Sequence, residues 1–319
     1  MKRKILVTGA LGQIGSELIP ALRKKFGNKN VIAVGHRKKP SEEFKKAGPF
    51  ETADARNKEE LRILIKKYDI NTIYNLVGVL SAVGEQKPDL AWDINMNALK
   101  NILELAVEYK INRLFWPSSI AAFGPTTPLK NTPQRTILEP TTMYGVTKVA
   151  GELLCQYYFT KYGLDVRSLR YPGIISWKTP PGGGTTDYAV AIYHEALEKG
   201  TYSCFVSGKT ILPMMYMDDA VNATIQLMEA DLKKITIRTS YNLTAVSFSA
   251  QELADNVAQH IKNFTCEFNP DERQKIANSW PSTIDDSQAR KDWGWQHKFD
   301  LEQISIDMIK NLKNNINSL

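Results

Sequence analysis

Cysteine and histidine are scarce in this chain of 319 residues: Cys155, Cys204 and Cys266, and His36, His194, His260 and His297. They lie far apart, with none of the short spacings that hold a metal, so no metal site is expected and the thiols read as reduced and buried. No apolar run reaches transmembrane length, and no membrane contact is expected. The first strand signal, Ile5-Leu6-Val7, follows the initiator Met almost directly and leaves no room for a signal peptide. The expected location is cytoplasmic; a processed form from the mitochondrial matrix would read the same. Basic residues outnumber acidic ones to give a net charge of +7, but pairs such as Lys24-Lys25, Lys66-Lys67 and Lys233-Lys234 are spread along helical stretches. Without interleaved aromatics they do not make a nucleic-acid surface. Affinity for anionic small molecules is the simpler reading. Internal repeats and low-complexity segments are absent as well.

What remains is a chain long enough for a large core, with the 43% hydrophobic and 24% charged content of a soluble globular protein. Short apolar runs recur through the first half: Ile5-Leu6-Val7, Val31 to Val34, Thr72 to Val77, Arg113 to Trp116 and Val166 to Arg170. They are continuous rather than alternating, as strands covered on both faces are. Helical patterns, such as Leu99, Ile102, Leu103 and Ala106, lie between them. This β-α-β alternation predicts an α/β fold, a doubly wound parallel sheet of Rossmann type. The pattern changes after Tyr171-Pro172-Gly173, at a Pro/Gly-rich stretch from Thr179 to Thr186. Residues 1–172 are therefore expected to form the dinucleotide-binding domain. Residues 173–319 are expected to form mainly a smaller, discontinuous substrate lobe, with some segments returning to the first domain. In the last helix Leu301, Ile304, Met308, Ile309 and Leu312 form an apolar stripe that reads as core.

Three motifs carry chemistry. Gly9, Gly12 and Gly15, with Gln13 and Ile14 between them, follow a strand and open a helix, the context in which glycines admit a pyrophosphate to a helix N-terminus. Farther on stand Ser118-Ser119 and then Tyr144-Gly-Val-Thr-Lys148. A tyrosine is too weak an acid to serve as a base at neutral pH unless its phenolate is favoured. Lys148, one helical turn on and on the same face, is placed to do that, while Ser119 or Ser118 would hold a substrate oxygen against Tyr144. An isolated pair of this kind is usually a solvated helix face; the glycine loop and the serines argue against that. Leu76-Val77-Gly78, at the end of the fourth strand, would let a nicotinamide ribose pass close, and Ser81 would face the substrate. Asn95 reads as structural. The second strand runs into Gly35-His36-Arg37 with no acid, which taken alone favours NADP over NAD. Asp54, followed by Ala55, stands where an adenine amino group would bind, or caps the helix near Asn57.

These residues together resemble the extended short-chain dehydrogenases/reductases, and within them the short-chain L-threonine 3-dehydrogenases. Segments more specific than the fold carry the resemblance: Trp116-Pro-Ser-Ser119 with Phe123-Gly-Pro125, Pro181-Gly-Gly-Gly-Thr-Thr-Asp-Tyr-Ala189, Pro213-Met-Met-Tyr-Met217 and Ser279-Trp-Pro281. The resemblance implies oxidation of the L-threonine β-hydroxyl by NAD+. It assigns Tyr144 as base, Lys148 as its pKa partner, and Ser119, with Ser118, as the orienting hydroxyl. It further implies that Ser81, Gly184, Thr185, Thr186 and Trp280 hold the amino acid, and that Tyr144, Lys148 and Tyr171 join the cofactor contacts. NAD is the expected cofactor, with NADP left open by the second strand. The glycine-threonine loop is expected to offer backbone N–H groups and two hydroxyls and to close over substrate. A homodimer is expected through the helix near Leu99 to Tyr109 and the helix carrying Tyr144, whose Leu153, Leu154, Tyr157 and Tyr158 exceed what one sheet face needs. The rival readings are a nucleotide-sugar epimerase or dehydratase on the same scaffold and a dinucleotide sensor without turnover.

Overall fold

A computed structural model describes residues 3–316. Twelve strands occur in chain order: β1 (Ile5–Thr8), β2 (Val31–Gly35), β3 (Phe50–Thr52), β4 (Thr72–Asn75), β5 (Arg113–Ser119), β6 (Val166–Tyr171), β7 (Gly173–Ile175), β8 (Thr201–Cys204), β9 (Ile211–Tyr216), β10 (Tyr241–Asn242), β11 (Val246–Ser249) and β12 (Thr265–Phe268). Seven of them form one sheet in the order β10-β6-β5-β4-β1-β2-β3. All its pairings are parallel, for example Ile5 with Val31 on one side and Thr72 on the other. β1, β2 and β4 are buried at every position, as the continuous apolar runs predict for a sheet covered on both faces. Strand order reverses beside β1, and such a switch point opens a ligand crevice at the carboxyl ends of the strands.

Two cores flank this sheet. One gathers Leu6, Ile32 and Ile73 with Leu99, Ile102 and Leu103 of the helix Ala98–Glu108. The other gathers Ile5, Val7 and Leu18 with Met217, Ala220 and Ala223 of the helix Met217–Glu229. That helix and β10 come from the second half of the chain and return to the sheet. A third core belongs to the C-terminal lobe, built on the sheet β11-β9-β7 and the pair β12-β8. There Ile304, Met308, Ile309 and Leu312 of the last helix, Leu301–Ile316, are buried against Tyr193 and Val257.

β4 stops at Asn75, earlier than the apolar run through Val77 predicts; Leu76 N–H still donates to the Thr8 carbonyl at 3.1 Å, and the loop that follows runs to Leu80. The loop is held by Asn95, in a π-helical turn Asp93–Asn97. Its amide oxygen accepts from Val79 N–H at 2.7 Å and its nitrogen donates to Val79 C=O at 3.2 Å, replacing the partner a strand neighbour would supply. Among the described residues no helix is long and apolar enough to cross a membrane, and no cluster of metal-ligating side chains occurs.

Candidate active site

The helix Met143–Tyr162 starts where Thr142 accepts the Gly145 N–H in an N-cap. It lies tight on β5: a Cβ at Gly151 would run into the Trp116 ring. This approach brings Tyr144 and Lys148 to the end of β5. Lys148 Nζ sits 4.6 Å from the Trp116 ring centre and 5.2 Å from that of Tyr144, and donates to the Pro117 carbonyl at 2.7 Å. Ser119 borders the same cavity as Tyr144, close enough for its hydroxyl to hold the phenol partly down. The residues expected to act as base, its pKa partner and orienting serine are thus brought together.

The electrostatics differ from the sequence expectation. Burial pushes Tyr144 up to about 12, the Ser119 hydroxyl offsetting only part of this. Burial also pulls Lys148 down to about 7, opposed by the nearby Glu152 carboxylate. The Lys148 ammonium is turned to the Pro117 carbonyl, and its charge acts on Tyr144 from beside the ring rather than through a direct hydrogen bond. A charged Lys148 at this distance favours the phenolate, and a neutral one does not.

Ser118 is a correction. Its neighbour Ser119 faces Tyr144, whereas the Ser118 hydroxyl donates to Glu152 Oε1 at 2.6 Å. Successive residues of a strand face opposite ways, so although both serines border the pocket, the Ser118 hydroxyl is turned to Glu152 instead. Glu152 is in turn clamped by Arg170 through Nε at 2.8 Å and Nη2 at 2.7 Å, all three side chains being buried. Tyr171 borders the cavity described next, while its hydroxyl is bound to Thr224 and its ring packs on Phe115.

A cavity of about 150 Å³ joins these groups to the C-terminal lobe, lined by Ser81, Ser119, Tyr144, Thr185, Thr186 and Trp280 among others. Ser81, buried at the start of the helix Ser81–Gln86, places its hydroxyl 3.3 Å from Thr185 Oγ1. The glycine loop departs from expectation. The N–H groups of Gly182, Gly183 and Gly184 all donate to Asp187 Oδ2, at 2.7, 2.8 and 2.8 Å. They form an anion nest already filled by the protein's own carboxylate, so Gly184 has no free N–H to offer a substrate. Asp187, which sequence reasoning missed, is the residue that shapes the loop; a carboxylate three residues beyond a glycine triplet was the available signal.

Residues Gln13, Ile14, Leu76, Val77 and Gly78 extend the same cavity toward β1. A second cavity, about 410 Å³, continues from Gly9 and Gly12 past Val77 to His36, Arg37, Asp54 and Ala55. Gly9 has φ +70°, and a Cβ there would stand 2.8 Å from the Leu76 carbonyl carbon. Gly15 does not line either cavity; its Cβ would meet the Gly9 carbonyl, so it serves the packing of the first helix on β1. That helix, Gln13–Phe26, has no side-chain cap on its N-terminus and no acid in its first turn. Its free amides and positive end fit a pyrophosphate, and the two cavities leave room for the nicotinamide and adenosine ends on either side.

Residues 5–243 match the family described as "NAD dependent epimerase/dehydratase family". The chain belongs to that family. An uncharacterized epimerase/dehydratase of Staphylococcus haemolyticus is 49% identical over 308 residues, 96% of each chain. Among solved structures, the GalE-like L-threonine dehydrogenase from Cupriavidus necator in its holo form superposes with a TM-score of 0.94 at 48% identity, covering 97% of this chain and 99% of that one. A monomeric L-threonine 3-dehydrogenase of metagenomic origin superposes with a TM-score of 0.94 at 49% identity, covering 98% and 99%.

As a member of the epimerase/dehydratase family the protein uses NAD. Asp54 does not cap a helix; Asn57 does, accepting from Glu59 N–H at 3.1 Å. The Asp54 carboxylate is instead gripped by Arg56 Nε at 3.1 Å and Nη2 at 2.6 Å, which hold it down at about 2. His36 Nε2 lies 3.8 Å from the same carboxylate.

Proposed function

We propose that this protein is an NAD-dependent L-threonine 3-dehydrogenase, oxidising the β-hydroxyl of L-threonine to 2-amino-3-oxobutyrate. The observation that carries this is the convergence of Tyr144, Ser119, Ser81, Thr185 and Thr186 on one cavity, with Lys148 beside the Tyr144 ring. The groups that converge there, hydroxyls of Ser81, Thr185 and Thr186 beside Tyr144, suit the polar ends of an amino acid. Full-length similarity to solved L-threonine dehydrogenases supports the same reading.

When bound, the oxidised nicotinamide supplies the hydride acceptor. Everything else falls to the chain. Ser119 and Tyr144 hold the substrate hydroxyl between them, and Tyr144, as phenolate, takes its proton as the Cβ–H bond breaks and the C=O bond forms. Lys148 in its charged form favours that phenolate. Glu152, held by Arg170 and Ser118, favours the charged form of Lys148 from one turn farther along the helix. Thr186 and the Ser81–Thr185 pair receive the polar ends of the amino acid, and Trp280 closes the pocket from the C-terminal lobe.

The test is reduced-cofactor formation with L-threonine, L-allo-threonine and L-serine, beside thermal stabilisation by UDP-sugars. Threonine-dependent NADH formation without UDP-sugar stabilisation is expected. Stabilisation by a UDP-sugar with no amino-acid turnover would replace this reading with the epimerase one.

We further infer a homodimer. On the helix Met143–Tyr162, Val146, Leu153 and Tyr157 are 41%, 59% and 47% exposed, an apolar stripe at heptad-like spacing, whereas Tyr158 is buried and Leu154 half-buried in the core. Covering that stripe with its copy would remove it from water. Since one similar enzyme is described as monomeric, sedimentation decides: a dimer at micromolar concentration is expected, and a monomer would refute it.

A further inference from the structure

The adenosine end of the dinucleotide site is unlike a site built for an unmodified ribose. Proteins that select NAD place a carboxylate at the end of the second strand to accept the 2′-hydroxyl, and those that take NADP place an arginine near the 2′-phosphate. Here β2 ends at Gly35. The place a Gly35 side chain would occupy is filled by the Phe50 ring, whose Cζ would stand 2.8 Å from its Cβ.

Three basic residues follow, His36, Arg37 and Lys38, and all line the cavity of about 410 Å³. Asp54 is the sole carboxylate among the described residues of that lining, and it is neutralised. Arg56 takes both its oxygens through Nε and Nη2, and the Arg56 N–H donates to Oδ1 at 3.0 Å. The third Arg56 side-chain nitrogen, Nη1, is spent on Asp93 at 2.9 Å, so Arg56 itself is engaged at every nitrogen. Arg37 and Lys38, by contrast, have no carboxylate partner among the described residues. A solvated basic turn would be the plain reading if these residues faced away from the cavity. They border it, where the one acid is already paired.

We infer that the adenosine-ribose end accepts a 2′-phosphate, with Arg37 as its main ligand and Lys38 assisting, so that the protein binds NADP+ as well as NAD+. The inference rests on the dinucleotide site proposed above and not on the identity of the substrate. An arginine on a phosphate makes charge-assisted, bidentate hydrogen bonds that a ribose hydroxyl cannot return.

The experiment is direct binding to the full chain of ADP, 2′,5′-ADP and 3′,5′-ADP, measured by calorimetry at fixed ionic strength, with no turnover involved. The expected result is that 2′,5′-ADP binds at least as tightly as ADP and about tenfold more tightly than 3′,5′-ADP. Arg37→Ala should weaken 2′,5′-ADP about tenfold while leaving ADP within about twofold, the difference expected for losing a hydrogen-bonded ion pair. Lys38→Ala should weaken it in the same sense by less. Preference for ADP over 2′,5′-ADP by about tenfold would overturn the inference. Equal binding of 2′,5′-ADP and 3′,5′-ADP would overturn it too, since that is general attraction of anions to a basic surface. If ADP itself failed to bind, the dinucleotide site would fall and this inference with it.

Discussion

The two ends of the dinucleotide cleft are built on opposite principles. At the reaction end the polar groups around the pocket are mostly buried and already engaged: Lys148 on Pro117, Asn95 on Val79, Ser118 on Glu152, Thr185 on Ser81. At the adenosine end, Arg37 and Lys38 are exposed and have no carboxylate partner among the described residues. Packing fixes the chemistry, and unpaired surface charge is left to choose the cofactor. Substitutions at the first end should therefore cost rate, and substitutions at the second should shift binding preference while leaving rate with the preferred cofactor alone.

The largest effect should come from Tyr144→Phe. Loss of the general base should lower kcat by about 10²–10⁴ while ADP binding stays within a few-fold, because the ring still packs. Retention of more than about a tenth of the activity would remove Tyr144 from the role. Lys148→Met should follow closely and carry a pH signature. The phenolate is the active form, a positive charge favours it, and burial already holds Tyr144 up at about 12. Taking the charge away raises the tyrosine further, so the optimum of kcat/KM should move to higher pH. An unmoved or lowered optimum would refute the coupling.

Next in size is the glycine loop. Asp187→Ala frees three N–H donors and the loop they fold, and KM for threonine should rise about tenfold, with ADP affinity unchanged. Thr186→Ala should raise KM in the same direction. If neither substitution moves threonine kinetics, the amino acid is recognised elsewhere. The smallest effect belongs to the adenosine end. Gly35→Asp must displace Phe50, costing about 1–3 kcal/mol of stability, and should weaken 2′,5′-ADP relative to ADP. A variant that melts like the parent would show that the Phe50 ring yields freely.

Much of this was legible in the sequence because it is local. Strands buried on both faces announce themselves as continuous apolar runs, and Tyr144 and Lys148 share a helix face by period alone. The corrections come from what lies far away in the chain. Ser118 was recoverable from strand alternation, but that Glu152 and Arg170 take it up was not. Phe50 filling the side-chain place of Gly35 depends on the register of β2 with β3, where Gly35 pairs with Thr52. The raised pKa of Tyr144 likewise reflects burial, which spacing does not report. Asp187 was near enough in sequence to be noticed, yet three amides converging on one oxygen is a property of the folded loop.

The most direct test of the central claim follows the hydrogen on the threonine β-carbon. L-threonine carrying deuterium at Cβ, incubated with the protein and NAD+, should yield reduced cofactor labelled in step with each turnover, with slower turnover than the unlabelled substrate. Tyr144→Phe should form almost none. Label that appears in water, or that stays on the amino acid while NAD+ is left unreduced, would contradict a dehydrogenase built on Tyr144.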